Sequence, residues 1–395
     1  MKTILLVPTE IGVGLTSACL GLIYALECQG VKAGFLKPFS QELQPEADRT
    51  TALYRHLFKH ETVEPITYAA LTERLKNDEN DELLEDAVRL HREISKHHDI
   101  IIVEGVLPNG RDPFATELNA NLAKALDAKV IIVSNADINN PVKTASKVDN
   151  QLRFFGGASG ERTAGVLFMR TKGLPEDSAQ IPVTLDPSLR LISDTNQFVS
   201  KIQTTHPMIG KDCMPVIGLV PFSNTLSVPR MSDLAAHISA EWINQGEAAQ
   251  RRVLHSSLIA SNIEHEMHKF VAGELIISGS DRVDVLLASS LASSNGIPLA
   301  GLVLTEQKAP SAQALEFCQA AIKNGLPILH TKLSTFETAQ QLLNLSNEIP
   351  VDDTERAEQV TRFVASHINQ EWLSHLISDS YKPRLSPSAF RHELV

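Results

Sequence analysis

Six short runs of almost unbroken apolar residues punctuate the first ~240 positions: "TILLVP", "VKAGFLKP", "DIIIVEG", "KVIIVSN", "AGVLFMR" and "PVIGLVPF". A strand with one wet face alternates apolar and polar residues; a strand covered on both faces does not. Most of these runs are continuously apolar and rich in Ile and Val, and helical stretches such as Glu82–Lys96 and Pro113–Leu126 lie between them. Parallel neighbours cannot be joined by a tight turn and need such crossovers. The expectation is an α/β fold, a mostly parallel doubly wound sheet with helices on both faces.

Residues 171–215 break the rhythm, being rich in Pro, Ser, Thr and Asp with few periodic apolar positions. They read as a long loop with one short helix. "INQGEAAQRR" (243–252) reads as a domain joint. After it a smaller alternating set begins: strands in "RRVLHSSLIA", "GELIISGS", "IPLAGLVLT" and "LPILH", and helices over Ile263–Phe270, Val283–Ser294, Ala312–Lys323 and Thr335–Leu343. Thr354–Leu376 is a last helical stretch, and "SYKPRLSPSAFRHELV" reads as a linker. The expected boundaries are 1–245, 250–350, 351–380 and 381–395.

The totals exclude some functions. A formal net charge of −11 argues against nucleic acid, whose phosphates are met by clustered Lys and Arg. No run reaches the ~18 apolar residues of a membrane span, and Met1-Lys2 leads straight into a strand, so no signal peptide is expected. Four scattered cysteines without a C-x-x-C pair suit a reducing cytoplasm; Cys19 and Cys28 read as buried thiols of one helix. No histidine pair has zinc spacing, so no metal site is expected.

The chemistry-bearing stretch is "VPTEIGVGLTS" (7–17), a strand, a glycine turn and a helix start. A phosphate loop turns backbone N–H groups inward, adds the helix N-terminus, and sends a Lys to the outer phosphates. Here Thr9 stands at the first glycine and Leu15 at the lysine, leaving Gly12, Gly14, Thr16 and Ser17. A Thr16 or Ser17 hydroxyl can cap the helix or hold Mg²⁺; a glycine turn for tight packing alone is the competing reading. Lys37 ends the second strand and Glu104 the third, where open α/β sheets bind ligands. Lys37 can replace the missing cation and Glu104 hold a metal; equally, they are a surface lysine before a Pro turn and a helix cap.

"PTEIGVGLTS", "FLKPFSQ", "IIIVEG" and "GVLF" together resemble the dethiobiotin synthetase-like branch of phosphate-loop proteins. The chain departs from that pattern at the loop Lys, at a glycine run replaced by Val106-Leu107-Pro108, and at a base-reading Asn that falls near Met169. Over the whole chain, "KPFSQ", "GELIISGSDRVDVLLAS", "IPVDDTERAEQV" and "RLSPSAFRHEL" resemble the non-catalytic N-terminal portion of long-form bacterial phosphate acetyltransferases, including their DRTGG domain. The resemblance implies a regulatory and assembly region of an acyltransferase that forms acetyl phosphate and CoA from acetyl-CoA and phosphate. It implies a C-terminal phosphotransacetylase domain as partner, a homo-oligomer up to a hexamer, no catalytic residue in this chain and no required cofactor. ATP, NADH, pyruvate or phosphoenolpyruvate are the effectors it suggests. The alternative is a self-sufficient ATP-dependent enzyme built on Thr16, Ser17, Lys37 and Glu104.

In the second domain, "SGSDRVDVLLASSLASSNG" reads as a strand end and a helix whose apolar face is Val283, Leu286, Leu287 and Leu291. Asp281 reads as its N-cap. The alternative is a ligand or subunit pocket, with Arg282 pairing an anion.

Overall fold

The computed structural model describes residues 2–43, 47–110, 113–173, 196–204, 206–306, 308–345 and 348–378. Two units divide the chain: Met1–Ser223 with Ile349–Val395, and Asn224–Glu348.

The first unit opens β1 (Lys2–Pro8), α1 (Leu15–Cys28), β2 (Ala33–Leu36), α2 (Arg49–Phe58), α3 (Tyr68–Lys76), α4 (Asn80–Ser95) and β3 (Ile100–Glu104). It continues with α5 (Ala115–Ala125), β4 (Lys129–Asp137), α6 (Pro141–Leu152), β5 (Thr163–Lys172), a helix α7 at 196–203, and β6 (Val216–Pro221). Its six strands run in the order β2-β3-β1-β4-β5-β6 and every pairing is parallel. Alternate β1 side chains feed opposite cores. Leu5 and Val7 pack with α4, α5, α6 and α7, whereas Ile4 and Leu6 pack with α1 and α2. Two-sided burial is why the six runs lack polar alternation.

The second unit holds α8 (Met231–His237), β7 (Glu241–Asn244), β8 (His255–Leu258), α9 (Ile263–Glu266), β9 (Glu274–Gly279), α10 (Val283–Ser294) and β10 (Gly301–Thr305). Then come α11 (Ala312–Phe317), α12 (Gln319–Lys323), β11 (Ile328–His330) and α13 (Thr335–Leu343). Its sheet order is β7-β11-β10-β9-β8, parallel except for the edge strand β7, which runs antiparallel to β11.

The chain then returns to the first unit with α14 (Thr354–Ser366) and α15 (Gln370–Ser378). Helix α14 crosses α1 at Gly21, where an added Cβ would stand 2.4 Å from Val364 Cγ1. The expected single stretch Thr354–Leu376 is therefore two helices. The break is held by Asn369, whose N–H donates to Ile217 O at 2.7 Å and whose Oδ1 accepts from Trp372 N at 3.0 Å.

Three other expectations shift. The contact boundary lies at 223/224 instead of near 245, and "INQGEAAQRR" starts inside β7. Four residues with only half-buried or exposed side chains carry too weak a pattern to read as a strand. Cys19 is buried, but Cys28, at the last turn of α1, is exposed. Of the 171–215 stretch, 174–195 lie outside the described residues, as does the segment after 378.

Candidate ligand site at the strand ends

The loop after β1 keeps the shape of a phosphate cradle without its charge. Gly12 and Gly14 have φ of +74° and +82°, a region that strains any side chain, and Gly14 is the N-cap of α1. No side chain caps the helix. Thr9 has its hydroxyl on Ser134 Oγ at 3.1 Å. Leu15 is 4% exposed and packs into the apolar core with Ile4, Leu6 and Val13. The lysine position thus points into the protein. Met169, 3% exposed, stands over the turn, with its methyl 3.5 Å from where a Gly14 Cβ would lie.

Thr16 and Lys37 join instead in a buried network. Thr16 Oγ1 lies 3.1 Å from Thr50 Oγ1, and Thr50 donates to Glu104 Oε1 at 3.3 Å. Lys37 Nζ sits 2.8 Å from Asp48 Oδ2 and 3.4 Å from Glu104 Oε1. Asp48 also caps α2, taking the Thr51 N–H and hydroxyl at 3.1 Å each, and accepts from Ser40 Oγ at 3.0 Å. Lys37 and Glu104 are 8% and 4% exposed, so Lys37 is not the surface lysine that one sequence reading allowed. Ser17 is only half-buried and lies outside this network.

The charges follow from this packing. Burial pulls Lys37 down, but Glu104 and Asp48 more than offset it and hold the ammonium above its ordinary value. Burial pushes Asp48 up, and the Lys37 charge and hydrogen bonds bring it below the usual carboxylate range. Glu104 goes the other way: burial raises it and Lys37 compensates only in part. Asp48 is therefore the true ion-pair partner and Glu104 the costlier neighbour. Its Oε2 is buried without a hydrogen-bond partner. Asp48, Thr16 and Glu104 are oxygen donors of the kind Mg²⁺ takes, but the Lys37 ammonium already lies between the two carboxylates.

The turn after β3 is fixed too. A Cβ on Gly105 would stand 2.7 Å from Leu6 O, and Asn119 clamps Val106 through both its N–H and its carbonyl at 2.8 Å. That clamp takes the place of a glycine run open to phosphate. Sequence reading missed Asp48, Thr50 and Asn119. Asp48 before "RTT" was legible as a helix cap, but its pairing with Lys37 depends on the tertiary fold.

In the second unit, Asp281 does not cap α10. Arg282 occupies the N-cap position, and no side-chain cap bond forms. Arg282 turns inward on its own chain, 2.8 Å from Asp284 Oδ2 and donating to Ser261 O at 2.9 Å. The expected apolar face is also corrected. Leu286 is buried, but Val283, Leu287 and Leu291 are exposed, and the packed side is Val285, Leu286, Ser289, Ser290 and Ser293. Serines let the helix lie close to its neighbours, which a count of apolar spacings does not register.

Comparison with known proteins places this geometry. Residues 2–230 match the AAA_26 family, described as an AAA domain, and residues 233–345 match the DRTGG domain. The chain is 65% identical over 395 residues to a phosphate acetyltransferase of Acinetobacter baylyi, covering 100% of this chain and 55% of that protein. It is 36% identical over 399 residues to one from Pseudomonas aeruginosa, with the same coverage. The chain thus spans about half the length of these relatives, 55% in each case. The MinD cell division protein of Aquifex aeolicus aligns with 56% of this chain and 83% of its own at 13% identity and a TM-score of 0.32, too loosely to carry an argument. With its first 230 residues matched almost throughout, the chain belongs to the AAA_26 family of AAA domains, here followed by a DRTGG domain.

Proposed function

We propose that this chain is a regulatory and assembly region working with the acetyl-transfer machinery of a phosphate acetyltransferase. In the reaction, phosphate attacks the thioester carbonyl of acetyl-CoA, giving acetyl phosphate and releasing the CoA thiolate. The observation that carries the reading is similarity to such enzymes over the entire chain at 55% of their length. The cradle fits a non-catalytic role, because Leu15 is core and Lys37 is committed to Asp48. Assembly is supported by the stripe Val283, Leu287 and Leu291, which is 39%, 38% and 63% exposed. Contiguous exposed apolar side chains mark association surfaces.

The test is a thiol-release assay. Residues 1–395 alone, given acetyl-CoA and phosphate, are expected to release CoA no faster than a protein-free control. A longer form carrying the transferase part keeps turnover when this region is deleted and loses its metabolite response and oligomeric state. Turnover by residues 1–395, or an unchanged response after deletion, contradicts the reading. A self-sufficient ATP-dependent reaction is the second reading, favoured by the Thr16–Thr50–Glu104 hydrogen-bond chain.

A further inference from the structure

The strand order β2-β3-β1-β4-β5-β6 reverses direction between β1 and β4. Open parallel sheets bind ligands in the crevice outside the carboxyl ends of their strands at such a point. The Lys37 network fills the β1–β3–β2 side of this crevice. The other side, at the ends of β1, β4, β5 and β6, is open: a cavity of about 520 Å³ reaches from Glu10 and Gly12 to Phe222. That is the size of a small-metabolite pocket.

Its charge runs against that of the chain. The lining carries Lys143, Lys147, Arg170 and Lys172 against two carboxylates, Glu10 and Asp137, in a protein with net charge −11. Glu10 is taken by an ion pair with Lys147. Asp137 Oδ1 accepts the Asn139 N–H at 2.9 Å. Among the described residues, Lys143 and Lys172 have no carboxylate partner.

Arg170 is specially placed. It is a non-glycine residue at φ +49°, and the ladders to both neighbouring strands slip register beside it, between Asn135 and Asp137 on one side and between Phe168 and Thr171 on the other. Bulges and left-handed residues of this kind are strained and concentrate at binding sites, where they re-aim a side chain. Here the guanidinium lies over the Phe222 ring, 5.2 Å from its centroid, and reaches Gly12 O at 3.4 Å. Its fork therefore retains donors for a ligand. Asn135, also in the lining, has Oδ1 buried without a hydrogen-bond partner, an acceptor for a hydroxyl or amine.

We infer that this cavity binds the dianion of a small phosphate monoester carrying a hydroxyl or amino group, gripped by Arg170, Lys143 and Lys172 and oriented by Asn135. The cations absent from the loop are thus supplied from β5 and α6, across the switch point. This ligand would be the metabolite of the regulatory reading above, but its binding does not depend on that reading.

Calorimetric titration of the full chain tests it, with 3-phosphoglycerate as probe, AMP as the nucleotide source of the same group, and glycerate as the phosphate-free control. A phosphate monoester is expected to bind saturably and glycerate not. The stronger of 3-phosphoglycerate and AMP identifies the source. Charge-assisted bonds of this kind are worth about 1.5–3 kcal/mol, so Arg170→Gln and the double variant Lys143→Gln/Lys172→Gln should each weaken binding roughly tenfold or more. Lys32→Gln, an exposed lysine outside the cavity, should leave it unchanged. Lys143 and Lys172 are exposed, so their variant keeps the fold. No saturable heat with either phosphate compound up to about 10 mM, or affinity unchanged in both cavity variants, overturns the proposal. Binding without any effect on acetyl transfer in the longer protein would leave the site standing and remove the regulatory reading.

Discussion

Lys37→Met is expected to lower the thermal midpoint of the first unit by roughly 10 °C. The variant keeps two carboxylates, Asp48 and Glu104, in a pocket where Lys37 is their shared cation. Removing one partner of a buried pair costs about 3–5 kcal/mol because the other charge stays desolvated. For a unit of about this size each kcal/mol moves the midpoint by roughly 2–4 °C. The loss should also depend on pH. Burial already raises Glu104, and without Lys37 the larger of its two compensating charges is gone, leaving only that of Arg49. A carboxylate with a raised folded pKa favours folding at low pH and opposes it as pH rises through that value. The variant is therefore closer to the parent at pH 5 than at pH 8, and adding Glu104→Gln restores part of the loss. Scanning calorimetry at the two pH values decides it. An equal deficit at both, with no rescue by Glu104→Gln, would remove the shared-cation account.

The second large effect belongs to His91, the inward-facing histidine of α4. It is 7% exposed, and its Nε2 lies 2.8 Å from Thr3 Oγ1 on β1. Burial, aided by the Arg92 charge, lowers its pKa from 6.5 to about 4. The unfolded chain takes up this proton near pH 6.5 and the folded chain only near pH 4. The stabilisation is thus full above pH 6.5 and is lost as pH falls toward 4. The interval corresponds to about 3 kcal/mol. His91→Gln, which can still bond Thr3, should flatten urea-unfolding free energy against pH across this window. Equal slopes in parent and variant would show that the folded imidazole protonates freely.

The strands of the first unit were legible because two-sided burial leaves each as an apolar block, as in "DIIIVEG". Val283–Ser294 and Thr335–Leu343 were legible to their ends, flanked by Asn295-Gly296 and by a Ser334–Glu337 capping box. What failed was orientation. Val283, Leu287 and Leu291 sit at helical spacing and look like a core face, yet α10 packs through Val285, Leu286 and its serines. Lys37 and Glu104 were singled out from their strand-end positions, and the structure joins them in one buried network. Asp48 was missed because its role arises from a contact eleven residues away that only the tertiary fold creates. Arg170 carried no signal at all: nothing in "FMRTKG" announces a left-handed residue between two bulges.

The account rests on the phosphate-loop cradle having been closed from inside, with Leu15 in the core and Lys37 neutralised. The most direct measurement is release of phosphate from Mg-ATP by the purified chain, followed against ATP concentration. The account predicts release no faster than in the protein-free control at every concentration. Saturable release that disappears in Thr16→Ala would contradict it.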